Sequence, residues 1–188
     1  GLILDPWLET YLLMQISTQQ TPDLIERIGR MASVGQSSIA SGQFTLQSRL
    51  QMRDLRGRMG DARDQLVKAA ASLKAKQYVG MEPWTAQYDN SVQRLDSELK
   101  VLDDGVFGGT IKLDTAAFES SVDAMLGSLG ELRNQSLRSL DERLGYYHDR
   151  SLRQIIPVAA TFSLLALAAL YLFVCLQASI RRSTRGIT

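Results

Sequence analysis

The residues of this chain best suited to chemistry are arginines and large aromatics. Arg27, Arg30, Arg49, Arg53 and Arg56 are the cations of the first helical stretches, and Trp7, Tyr11, Trp84 and Tyr88 are the rings that could cover a ligand. A guanidinium forks onto a carboxylate and an aromatic face closes over it, so such a set captures a small molecule between helices without reacting with it. Tyr11, Arg27, Arg30 and Arg53 form the candidate ligand-binding group. The plainer alternative for each arginine is a solvated helix face. For Trp84 and Tyr88 it is core packing, because they open a regular apolar stripe.

Reactive constellations are missing. The sequence holds no G-x-S-x-G, no H-E-x-x-H and no P-loop, and no pair of carboxylates stands out. Gly105, Gly108 and Gly109 lack the preceding strand that a nucleotide loop needs, so they read as a linker. The one histidine, His148, excludes a histidine-based metal cluster, and a pH-sensing role is its only functional reading. The one cysteine, Cys175, leaves residues 1–153 without a disulfide. Charge is nearly balanced there, which argues against nucleic acid as a partner. The stretch is therefore expected not to be an enzyme and to need no cofactor.

Helices must position whatever binds. Asp5-Pro6 and Thr21-Pro22-Asp23 each read as a helix start, with a cap followed by proline. They predict either two helices or one kinked helix over residues 5–41, and residues 35–42 (GQSSIASG) read as a helix end plus a turn. Leu55, Met59, Ala62, Leu66, Ala69 and Leu73 alternate steps of four and three, a bundle seam that predicts a helix over residues 45–76. Gly80 ends it and Pro83 restarts the next, whose stripe runs Trp84, Tyr88, Val92, Leu95, Leu99, Leu102 and Val106. Asp103-Asp104-Gly105 and Gly108-Gly109 are expected to break the chain, with residues 110–113 as a connection. Asp114 caps the last one, with an inner face of Phe118, Val122, Met125, Leu126, Leu129 and Leu132, then Leu137, Leu140, Leu144 and Tyr147. The five-residue step from Leu132 to Leu137 predicts a change of facing neighbour. No period-two alternation is sustained, so the fold class is all-α, an antiparallel bundle of four or five helices.

Residues 155–176, IIPVAATFSLLALAALYLFVCL, contain no charge. A helix of that length runs roughly 33 Å, enough to cross a hydrocarbon core of about 30 Å. Residues 154–177 are thus expected to be a single transmembrane helix that continues the last bundle helix, over about residues 114–182. All 20 acidic residues precede it, while Arg181, Arg182 and Arg185 follow it without an acid. That asymmetry predicts a cytoplasmic C-terminal side, with residues 1–153 extracytoplasmic. Since Gly1 is no initiator and residues 1–4 are too short for a signal, a first membrane helix or signal is expected upstream, and a cut at Thr188.

Two stretches carry a family likeness. DPWLETYLLM followed by TPDLIERIGRM looks like the opening of the helical sensor region in bacterial transmembrane sensors, and residues 179–187 (SIRRSTRGI) look like the start of a HAMP linker. Ser183 and Thr184 stand where such linkers carry Pro and Leu after the arginine. The layout resembles the methyl-accepting chemotaxis proteins and the sensor histidine kinases. That resemblance implies a homodimeric periplasmic bundle in the bacterial inner membrane, recognising a small molecule or a periplasmic binding protein. Its output module would be cytoplasmic (methyl-accepting, two-component kinase or cyclase) and would follow residues 178–188. The competing expectation is a non-signalling tethered bundle that binds another envelope protein.

Overall fold

The computed structural model describes residues 8–42, 45–107 and 113–185, with the side chains of 107, 151–155, 157–159 and 172–185 excluded. Among the described residues the chain is all-helical, without strands. Its helices are α1 (Leu8–Gln15), α2 (Thr21–Ala40), α3 (Leu46–Lys74), α4 (Glu82–Leu102) and α5 (Thr115–Arg185). The chain divides into two units, Gly1–Arg143 and Leu144–Thr188.

Proline chemistry decides how the first unit begins. Pro22 has no N–H to return to the carbonyl of Thr18, so the helix ladder must be rearranged there. Residues Ile16–Gln20 take the wider π turn, closed by the Thr21 N–H on the Ile16 carbonyl, and α1 passes into α2 without leaving the helical region. The two proline signals therefore belong to one modified rod. The cap expected at Asp5-Pro6, like Trp7, lies outside the described residues. The helix end expected between residues 35 and 42 falls at the far end of that stretch. α2 reaches Ala40, and Gly42 turns the chain with φ +63°.

α3 starts where the Thr45 side chain accepts the Ser48 N–H at 3.1 Å. It ends at Lys74, and Gln77 and Gly80 adopt positive φ in the turn to α4. The expected break does not occur at Asp103-Asp104-Gly105, while Gly108-Gly109 lie outside the described residues. A second π turn, Asp103–Phe107, extends α4, and buried Gly105 lies where a Cβ would collide with Leu113. Glycine here buys close approach rather than a chain reversal. Asp114 caps α5 as expected, its Oδ1 accepting the Ala117 N–H at 2.7 Å.

Side-chain pairs fix the directions. Arg56–Asp103, Arg63–Asp96 and Lys74–Asp89 join α3 to α4, one index rising as the other falls. Gln87–Glu131, Ser91–Ser128 and Trp84–Ser136 join α4 to α5 in the same antiparallel sense. Gln36–Glu119 and Glu9–Arg143 tie the first rod to α5. The result is an up-down bundle whose core takes Leu13, Ile16, Leu24, Ile28 and Met31 from the first rod. Met59, Leu66 and Leu73 of α3, Trp84, Leu95 and Leu99 of α4, and Phe118, Met125, Leu129 and Leu132 of α5 complete it. The expected stripes of α3 and α4 are the buried ones, with Leu55 and Val92 at their margins.

In the second unit α5 remains helical to Arg185. Among the described residues no helix is long and apolar enough to cross a membrane. The expected span, residues 155–176, lies partly outside the described side chains, as do Arg181, Arg182 and Arg185. Within its described part, residues 160–171 are exposed without exception, including Phe162, Leu164, Leu167 and Leu170.

Candidate functional site

The inner face of α5 changes character after Leu132. Leu129, Leu132, Ser136, Ser139 and Arg143 keep the steps of three and four, and both serines are buried. The stripe therefore stays in phase and turns polar instead of shifting to Leu137, and the neighbour it meets changes from α4 at Ser136 to α1 at Arg143. Leu137 (39 % exposed) and Leu144 (45 %) point away from the core because they belong to another face.

Ser136 and Arg143 each meet a partner from another helix. Ser136 accepts a hydrogen bond from Trp84 Nε1 at 2.9 Å and donates to the Leu132 carbonyl at 2.8 Å. A fully buried indole N–H is thereby satisfied, and Trp84 stacks on Tyr88 with centroids 5.4 Å apart. Two turns further along, Arg143 Nε donates to Glu9 Oε1 at 2.9 Å, and its Nη2 bonds the same oxygen. The two side chains are only 14 % and 10 % exposed. Across the guanidinium lies the ring of Tyr78, with its centroid 4.9 Å away. The Tyr78 and Ser139 hydroxyls face one another, buried, without closing a hydrogen bond of ordinary geometry. Desolvation pushes the Tyr78 phenol above its usual range.

This cluster draws on α1, the α3–α4 turn and α5, and it holds a buried charge pair at the end of the compact unit. Taking two charges from water costs several kcal/mol per ion, which only close geometry and further hydrogen bonds recover. Such a pair specifies how α1 sits against α5 better than it stabilises either. It contains no nucleophile beside a base, and among the described residues no group of His, Cys, Asp and Glu could hold a metal.

The residues expected to bind ligand lie elsewhere. Arg27 donates to Asp23 at 2.9 Å, and that hydrogen bond raises its pKa; Arg30 pairs with Glu26 one turn away. Arg53 and Tyr11 are exposed. Among the described residues no hydrogen bond or ion pair joins any two of these four. Trp84 and Tyr88 are core residues, and His148 is exposed. Glu9, Tyr78, Ser139 and Arg143 escape a reading that follows apolar side chains. The signal was the unbroken spacing carried on by Ser136, Ser139 and Arg143. No known protein family, curated protein or solved structure matches the chain.

Proposed function

We propose that this chain is the sensing and membrane-crossing part of a bacterial receptor, with residues 1–153 outside, residues 154–177 spanning the inner membrane and residues 178–188 opening a cytoplasmic HAMP-like linker. One observation supports it above others. α5 is a single helix from Thr115 to Arg185 whose early part buries Phe118, Met125 and Leu132 while residues 160–171 leave apolar side chains exposed. Exposed phenylalanine, leucine and tyrosine around a whole helix face are tolerable where the solvent is lipid.

The mechanism is a population shift. A small ligand or a loaded periplasmic binding protein favours one of two packings of the bundle by its differential affinity. α5 carries the change as a small slide or rotation, since a helix in lipid keeps its backbone bonds and moves as a unit. The Glu9–Arg143 pair is where α5 is held against α1, so it sets the resting register. Leu137 and Leu144, exposed two turns apart on α5, support pairing with a second copy. A chemotaxis output fits this reading, with a histidine kinase the nearest competitor. The deciding experiment places cysteines along residues 144–152 of the intact protein in membranes and measures disulfide cross-linking between copies. The expected pattern shifts between faces when an activating ligand is added; a pattern unchanged at saturation overturns the proposal.

A further inference from the structure

A groove of 580 Å³ opens at the α3–α4 turn, beside the Glu9–Arg143 pair, with Tyr78 as the wall between them. Its volume falls in the range of small-molecule sites, about 300–1,000 Å³. One rim is Gln77, a non-glycine residue held at φ +45°, a strained backbone of the kind that concentrates at ligand sites. The floor is the first two turns of α4, where Glu82, Thr85 and Asp89 follow one another along one face.

The groove already displays how it treats an ammonium group. Lys74 Nζ lies 2.5 Å from Asp89 Oδ1 and 4.6 Å from the centroid of the Tyr88 ring, so a carboxylate and an aromatic face hold one primary ammonium together. Two turns earlier, about 10 Å along the helix, Glu82 offers a second carboxylate. It forms no ion pair among the described residues. With Lys74 neutralised by Asp89, the remaining charge of the groove is that of Glu82. Gln77 and Thr85 add neutral hydrogen-bonding groups beside it.

We infer that this groove binds a small alkylammonium compound, its ammonium on Glu82 and its chain against Tyr78, with a second ammonium displacing Lys74 from Asp89 when the ligand is a diamine. Naming a ligand class for the sensing bundle rests on the function proposed above, but the site is tested independently of it. Calorimetric titration of the whole chain in detergent with 1,4-diaminobutane, 1-aminobutane and butyrate reads the site directly. Saturable binding of the diamine, tighter than the monoamine, with butyrate silent, is expected. Glu82→Gln should weaken diamine binding about tenfold, the scale of one charge-assisted pair, while Asp61→Asn on the exposed face of α3 leaves it unchanged. Lys74→Met, which vacates Asp89 and the Tyr88 face, should tighten it. No saturable diamine binding, equal loss in Asp61→Asn, or preference for butyrate overturns the site. Diamine binding with unchanged cross-linking along residues 144–152 would keep the site and defeat the sensory reading; no binding would defeat the site alone.

Discussion

Arg143 and Glu9 show how one substitution and two can differ in sign at the same place. Arg143→Met leaves the Glu9 carboxylate buried without its guanidinium, and unfolding in denaturant should show a loss of about 3–5 kcal/mol. Glu9→Leu combined with Arg143→Met removes both charges and should recover most of that loss, because apolar packing replaces a pair that barely offset its own desolvation. Thr21 argues similarly on a smaller scale. Its hydroxyl is fully buried and bonded to nothing, so Thr21→Val, which keeps the shape, should leave the melting temperature unchanged or raise it by an amount worth up to about 1 kcal/mol. Tyr78 and Tyr88 set the alkaline limit. Burial, the main cause, holds both phenols above the ordinary value of 10.0, so the folded state favours their neutral forms. The stability this supplies is whole below about pH 10 and is lost as pH rises from there through the folded values. Melting curves between pH 9 and 11 should fall less steeply for Tyr78→Phe than for the parent.

Among the elements, α2 and α5 approach closely at Gly35. Gly35 is buried in α2 with the Phe118 ring against it, and a Cβ there would sit inside the ring's contact distance. Gly35→Ala should therefore destabilise the bundle by about 1–3 kcal/mol despite its better helix propensity, and Phe118→Leu in the same chain should relieve part of it. A melting experiment on the single and double variants checks this. The same elements explain what the sequence disclosed. α3 lies within two residues of its expected bounds, and its buried face is the stripe read from the four-three spacing, because leucine and methionine can be placed only by burial. The π turns were not legible. Pro22 and Gly105 announce that the ladder must change, but neighbouring helices decide whether it breaks or widens. The polar cluster hid for a different reason: Ser139 and Arg143 are ordinary surface residues until Glu9, some 130 positions away, meets them.

For the whole molecule, the proposed span makes a clear demand. An arginine at Leu165, near its centre, costs about 2.5–3.5 kcal/mol on insertion scales, so Leu165→Arg should shift the chain from the carbonate-resistant membrane pellet toward the supernatant while Arg150→Leu leaves it bound. The ion pairs between α3 and α4 have a reach beyond stability. Every cation in Arg56–Asp103, Arg63–Asp96 and Lys74–Asp89 belongs to α3 and every anion to α4 or the π turn that extends it, and the connecting turn exposes Val79 at 91 %. Across these three bridges the first part of the chain supplies the cations and the second part the anions. A backbone severed between Val79 and Gly80 should reassemble from its separate fragments, each choosing the other over its own kind.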